Sequence, residues 1–333
     1  MRTSDLLEVT CGRTASIREA TIDRTHLCSS CGADIQLRGP LGATLSCLLG
    51  RNARDCLIMN TAPTIDLNNG VAMPLIGLGT YPLDDRQVAE TVVVATAVGY
   101  RLIDTAAKYG NESGVGDGIR ACGVPRGELF VTTKLDGGYQ GADRAIPGLD
   151  ASLGRLRVDY VDLLLIHWPL PWRGLYVDTW ATFEKILASG KARAIGVSNF
   201  LPAHLEVLAT RSGIVPAVNQ IELNPAVGRA GVRAYDADHG IVTQAWSPLG
   251  RGDLLTDPAV TTIADRLGRS PGQVVLRWHV QHKLSAIPKS ANPSRLAENI
   301  AVFDLELTAQ DMAALDQLDR GEAAARNSET EGH

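Results

Sequence analysis

From Thr64 onward the chain alternates short, continuously apolar runs with longer stretches in which apolar positions recur every three or four residues. The first pattern predicts strands buried on both faces, and the second predicts amphipathic helices. In order they are PLIGLGT, a helix over Asp85–Val98, RLID, a helix near Glu112–Cys122, LFVTTK, a helix around Ala145–Leu156, YVDLLLIHW, and a helix over Tyr176–Ser189. ARAIGVSN, a helix over Pro202–Arg211, VPAVNQIE, a helix near Val227–His239 and IVTQAWSP continue the series. Helices in Pro258–Leu267 and Pro271–His282, the strand LSAIPKS and a helix from Pro293 finish it. Strand–helix units joined by short loops predict an α/β fold, a TIM (β/α)8 barrel. An open doubly wound sheet is the competing architecture, but no GxGxxG follows the first strand. Ahead of the barrel, TIDL and VAMP flank Asn68, Asn69 and Gly70, residues that accept positive φ, so an N-terminal β-hairpin is expected to close the barrel floor.

Residues 1–58 break this rhythm. They hold Cys11, Cys28, Cys31, Cys47 and Cys56 out of six cysteines in all, seven arginines and no lysine, and they show neither period. His26, Cys28 and Cys31 have half the spacing of a zinc site, with Cys47 or Cys56 as later ligands. The competing reading is a leader that is disordered or precedes the real start, Met59. Domain organisation is therefore read as the leader, a barrel over 59–321 and a polar tail over 322–333. A net charge of −5 argues against nucleic acid or an anionic membrane as the main partner, and no apolar run is long enough for a membrane span. A cytoplasmic protein without an obligate protein partner is expected.

Four residues carry the candidate chemistry: Asp104 and Tyr109 in LIDTAAKYG, Lys134 ending FVTTK, and His167 in LLLIHWP. Each follows or closes a predicted strand, and in such a barrel the carboxyl ends of the strands converge on one rim. A tyrosine is too weak an acid to work well near neutrality, whereas an adjacent ammonium ion stabilises its phenolate and lowers its pKa. Asp104 would keep Lys134 charged and oriented. The other reading for each residue alone is a satisfied ion pair or core packing. The whole chain has only six lysines, so Lys134 and Lys289 stand out as places where a compact ammonium is wanted. No metal site is read in the barrel, since the histidines lack an HExxH-type spacing, and no GxSxG elbow is present.

Taken together, PLIGLGTY, LIDTAAKYGNE, TTKL, LLLIHWP, IGVSNF, VNQIELNP, WSPLG and IPKS followed by Arg295 and Glu298–Asn299 resemble the aldo-keto reductases, close to the bacterial 2,5-diketo-D-gluconate reductase branch. The likeness runs in order from about Thr64 to Gly321. It implies that Tyr109 protonates a carbonyl oxygen while a nicotinamide hydride attacks carbon, with Lys134 and Asp104 tuning the phenol and His167 orienting the carbonyl. It also implies that Ser198, Asn199 and Gln220 bind the nicotinamide amide, that Trp246 stacks on the ring, and that Glu298 and Asn299 reach the adenine. Thr80, Ser247 and Leu249 complete the cofactor residues that the resemblance suggests.

Lys289, Ser290 and Arg295 surround the start of the last predicted helix, where N–H groups and the helix dipole already favour an anion. Two cations and a hydroxyl there suit a 2′-phosphate, so NADPH is expected over NADH. Tyr81, Lys108, Trp168 and Trp172 are candidate substrate contacts, and Lys108 would favour a carboxylate-bearing substrate. The tail lacks a bulky aromatic lid, so an open site for small polar carbonyls is expected. The expected activity is NADPH-dependent carbonyl reduction by a monomer; the alternative is an NADPH-binding scaffold or redox-sensor subunit with incidental turnover.

Overall fold

The computed structural model describes residues 61–333. The candidate zinc ligands and the alternative start at Met59 lie outside the described residues. A hairpin of β1 (Thr64–Asp66) and β2 (Ala72–Pro74) comes first, paired antiparallel around the Asn68–Gly70 turn. Gly70 takes φ +81° there, which only glycine adopts without strain. The amide of Asn68 donates to Pro216 O at 3.1 Å and that of Asn69 to Arg193 O at 2.9 Å, so the turn is tied beneath later strands.

Eight parallel strands follow: β3 (Gly77–Gly79), β4 (Leu102–Asp104), β5 (Phe130–Leu135), β6 (Val161–Ile166), β7 (Ala192–Ser198), β8 (Val218–Glu222), β9 (Val242–Trp246) and β10 (Ser285–Ala286). Each pairs with its sequence neighbour, and a parallel bridge between Ile76 and Ala286 closes the ring. Closure is tight. Gly79 N donates to Pro288 O, and a Cβ on Gly79 would fall 2.8 Å from Ile287 O. The helices α1 (Asp85–Ala97), α2 (Glu112–Ala121), α3 (Ala145–Leu156), α4 (Tyr176–Ala188), α5 (Pro202–Arg211), α6 (Ala230–Asp238), α7 (Pro258–Leu267), α8 (Pro271–Gln281), α9 (Pro293–Ile300) and α10 (Ala309–Asp316) complete the fold. Proline begins α5, α7, α8 and α9, where a missing N–H costs nothing.

The apolar side chains divide between two cores. One joins the outer strand faces to the helices, through Trp180, Phe183, Trp278 and many aliphatic residues. The other contains Leu102, Phe130, Leu163 and Leu165 together with Leu67 and Met73 of the hairpin. The hairpin thus contributes to an apolar cluster with strand residues, as a floor must. Two details differ from the sequence reading. The helix expected near Val227–His239 begins only at Ala230, because Asn224 and Val227 first bond to each other across a turn. The terminal helix α10 lies beyond the last helix that the apolar pattern predicts, although Thr308 and Asp311 form a capping box at its start. Among the described residues no helix is long and apolar enough to cross a membrane.

One buried carboxyl has a predictable thermodynamic signature. Asp236 on α6 is fully enclosed and accepts hydrogen bonds from Asn219 Nδ2 (3.2 Å) and Thr243 Oγ1 (2.8 Å). Burial nevertheless pushes its pKa up to about 7. A carboxyl raised in the folded state contributes stability that is complete below its ordinary value of about 3.9 and is lost as pH rises toward 7. Asp236→Asn is therefore expected to melt higher than the parent at about pH 8, by on the order of 2 kcal/mol, with the gap closing near pH 4. Melting curves across that range check it; a gap independent of pH would contradict the assignment.

Candidate active site

Strand geometry brings three of the four candidate residues into direct contact and the fourth alongside. Asp104 is the last residue of β4, Lys134 lies near the end of β5, and His167 directly follows β6. Tyr109 sits on a 3-10 turn, Ala107–Tyr109, that is closed by Gly110 at φ +70°. Lys134 Nζ donates to Asp104 Oδ1 at 2.5 Å, to Thr105 O at 3.1 Å and to Tyr109 OH at 3.1 Å. Asp104 and Lys134 are each 1% exposed, so this ion pair is sealed from water. The His167 ring stands edge-on to Tyr109 with centroids 5.8 Å apart.

The electrostatics follow from that burial. Desolvation pulls Lys134 down, but Asp104 and then Tyr109 outweigh it and leave the ammonium above its ordinary value. Burial pushes Asp104 up, opposed by Lys134 and by Gln220, whose Nε2 donates to Asp104 Oδ2 at 2.7 Å. His167 is driven well below the usual histidine range, first by burial and then by Lys134, His333 and Lys108, so it is neutral. Its Nδ1 is buried without a partner. Tyr109 corrects the sequence expectation of a lowered phenol. Burial raises it, and the opposing pull of Lys134 is not enough to reverse the direction. Near neutrality the hydroxyl therefore carries its proton, which is the state a donor needs.

The predicted cofactor residues fall into two groups. Ser198, Asn199, Gln220 and Trp246 form one network at the ends of β7, β8 and β9. Asn199 Nδ2 donates to Ser198 Oγ and to His167 O, Trp246 Nε1 donates to Asn199 Oδ1, and Ser198 Oγ donates to Gln220 O. Asn199 and Ser247 both occupy the left-handed region, at φ +64° and +49°, strained positions of the kind found at functional sites. Thr80 is buried with its hydroxyl on Asp104 O. A cleft of about 390 Å³ beyond β8 and β9 is lined by Glu222, Asn224, Ser247, Arg251 and Leu254, among others, while Leu249 packs partly buried against the helix-side core. The second group stands at the start of α9. Lys289, Arg295 and Glu298 are exposed, whereas Ser290 and Asn299 are buried. Among the described residues neither Lys289 nor Arg295 forms an ion pair, so two free cations flank a helix N-terminus, a fit for a phosphate group.

On the substrate side, Tyr81 and Trp172 are largely exposed, at 61% and 56%, and Trp168 is buried with its indole N–H unpartnered. Lys108 reaches Asp136 at 3.9 Å across the rim. The tail differs from expectation. Arg326 N donates to Glu222, Glu329 lies 2.9 Å from His204, and Ser328 is buried. Its last residue, His333, stands edge-on to His167 at 4.6 Å between centroids and 6.2 Å from Trp168. The site read as open and without an aromatic lid thus has an imidazole laid over it. Nothing periodic in the tail announces that placement.

The aldo/keto reductase family model matches residues 75–320. The chain belongs to this family. It is 52% identical over 271 residues to an aldo-keto reductase of Mycolicibacterium vanbaalenii, covering 80% of this chain and 96% of that protein. It is 50% identical over 273 residues to morphine 6-dehydrogenase of Pseudomonas putida, covering 78% and 92%. Among solved structures, a variant of Gox0644 in complex with NADPH superposes with a TM-score of 0.78 at 42% identity, covering 82% of this chain and 100% of that one. The Bombyx mori aldo-keto reductase in complex with NADP gives 0.73 at 38% identity, covering 78% and 94%. The closed barrel described above is thus the fold of an aldo/keto reductase.

Proposed function

We propose that this aldo/keto reductase reduces aldehydes and ketones to alcohols with NADPH, Tyr109 giving its proton to the carbonyl oxygen. The contact of Lys134 with both Asp104 and Tyr109 carries the reading, because a buried ammonium held on a phenol stabilises the charge that forms as the proton leaves. Neutral His167 orients the carbonyl oxygen toward that hydroxyl. When bound, NADPH supplies the hydride that adds to the carbonyl carbon; hydride and proton together make the alcohol. Ser198, Asn199 and Gln220 would hold the nicotinamide amide and Trp246 would face the ring. Lys289, Ser290 and Arg295 would hold the 2′-phosphate and Glu298 and Asn299 the adenine, while Thr80, Ser247 and Leu249 would line the path between. The fit rests on two exposed, unpaired cations beside the N-terminus of α9.

The proposed substrates are small polar carbonyls, 2,5-diketo-D-gluconate among them, met by Tyr81, Lys108, Trp168 and Trp172. The similarity to morphine 6-dehydrogenase brings a larger cyclic ketone into the same panel. A scaffold or sensor that merely binds NADPH would not require the Lys134–Tyr109 contact. NADPH consumption with carbonyls from glyoxals to 2,5-diketo-D-gluconate and the ketone formed when morphine is oxidised at carbon 6 tests the reading. Tight NADPH binding with none of them reduced would favour the scaffold. Lys289→Ala and Arg295→Ala are each expected to weaken NADPH binding about tenfold and NADH binding little, in a fluorescence titration. Equal weakening of both cofactors would remove the 2′-phosphate from these side chains.

A further inference from the structure

Beneath the tetrad, the barrel interior contains a polar layer where branched apolar side chains are the rule. Gln220 on β8, Gln244 on β9 and Ser285 on β10 stand side by side, since the strand register pairs Gln220 with Gln244 and Gln244 with Ser285. All three are at most 1% exposed. Burying two amides and a hydroxyl is costly unless each is satisfied, and here they satisfy one another. Gln244 Nε2 donates to Ser285 Oγ at 2.9 Å, and Gln244 Oε1 accepts from Gln220 Nε2 at 2.7 Å. The same Gln220 nitrogen gives its other hydrogen to Asp104 Oδ2 at 2.7 Å. Ser285 Oγ faces the carbonyl of Pro74, on the floor hairpin, at 3.5 Å.

The two ends of the chain agree on its direction. An ionised Asp104 can only accept, so Gln220 turns its amide N–H groups toward the carboxylate and toward Gln244 Oε1. With Oε1 so engaged, Gln244 Nε2 faces Ser285 Oγ at 2.9 Å and Met73 Sδ at 3.7 Å. A flipped Gln220 would set its oxygen against both Asp104 and Gln244 Oε1.

We propose that Gln244 is a positioning residue for proton delivery: it holds the Gln220 amide with N–H toward Asp104, and so limits how much of the Asp104 charge bears on Lys134 and Tyr109. This rests on the reading of Tyr109 as the proton donor, but the holding of Asp104 is a property of the protein alone. The titratable groups around Asp104 are Lys134 from β5 and Tyr109 from the turn after β4; His167 after β6 and Tyr81 after β3 stand beside Tyr109. From β8, β9 and β10 the groups in this layer are the neutral Gln220, Gln244 and Ser285.

Gln244→Met keeps length and volume but removes the acceptor that orients Gln220. Asp104 then loses a dependable N–H, and its carboxylate becomes harder to form in the folded state. In the cofactor-free protein the loss of melting temperature should therefore be larger at about pH 9 than at about pH 3.5, below the ordinary carboxylate value that Asp104 exceeds in the fold. A packing defect alone would give the same loss at both. With NADPH and a carbonyl that the parent reduces, more of the Asp104 charge would reach Tyr109. The alkaline limb of kcat/KM should then move up by about half a pH unit or more. Equal melting losses at both pH values overturn the proposal whether or not any carbonyl is reduced. Absence of turnover in the unsubstituted protein counts instead against the reductase reading. Should Gln244→Met fail to fold, Ser285→Ala loosens the same chain from below, and a pH-independent loss there overturns the proposal equally.

Discussion

Tyr109→Phe is expected to lower NADPH-dependent carbonyl reduction by roughly 10³-fold, with NADPH affinity unchanged within about twofold. The substitution removes one oxygen from a half-buried ring and leaves the Asp104–Lys134 pair intact, so the fold should not suffer. No neighbour can take over the proton. Lys134 is held charged by Asp104, and a neutral His167 is a far weaker acid than an imidazolium. Because burial raises the Tyr109 phenol, the parent enzyme should keep its reductase activity well above neutrality and lose it only as the phenol ionises. Stopped-flow or steady-state rates with the best carbonyl, beside a fluorescence titration with NADPH, read both quantities. A variant retaining more than a tenth of the parent rate would remove Tyr109 from the role of donor.

Lys134→Met is expected to damage both stability and rate, for separable reasons. It strands the Asp104 carboxylate, 1% exposed, with Gln220 as its remaining side-chain donor. Breaking one side of a buried pair costs about 3–5 kcal/mol. The stranded carboxyl will titrate upward, so the penalty should be largest at alkaline pH and should shrink as pH falls and Asp104 takes a proton. Adding Asp104→Asn to this variant removes the stranded charge, and most of the lost stability should return. The rate should not return. Without the ammonium nothing stabilises a forming phenolate, and reduction should stay down by about 10²-fold or more. Thermal melts and rates on the single and double variants decide the matter; recovery of both together would make Lys134 a structural residue only.

The barrel was legible because its pattern is redundant. Runs such as VDLLLI and ARAIGVS are too short for helices and too apolar for surface strands, and they alternate with capped helices of ordinary length. The hairpin was legible in Asn68, Asn69 and Gly70, whose conformational tolerance and amide donors both find use beneath the barrel. Asp104, Lys134 and His167 could be read as one site because a parallel barrel delivers every strand end to the same rim, whatever the separation in sequence. Tyr109 joins them only because a short turn reverses the chain within five residues of Asp104.

What could not be read depends on distances that no local pattern encodes. Gln244 stands inside VTQAW, where an amide next to Thr243 in a short strand gives no hint of its two partners on neighbouring strands. The family resemblance marks Gln220 only as a cofactor contact; its bond to Asp104 requires knowing that β8 and β4 face each other across the barrel. The direction of the Tyr109 shift turns on how much water the fold excludes, and that competes with Lys134 in a way that residue types alone cannot settle. His333 is the extreme case. Its approach to His167 depends on anchors scattered along the tail and rim, Arg326 on Glu222 and Glu329 beside His204, none with a periodic signature.

The most direct measurement follows the hydride itself. The protein is incubated with NADPH carrying deuterium at the transferable position of the nicotinamide and with the carbonyl that it reduces fastest, and the alcohol is analysed by mass spectrometry and NMR. The account predicts one deuterium on the former carbonyl carbon in the parent, and no alcohol above background from Tyr109→Phe over the same time. Tight NADPH binding without labelled alcohol from any carbonyl, or labelled alcohol formed equally well without the Tyr109 hydroxyl, would contradict it.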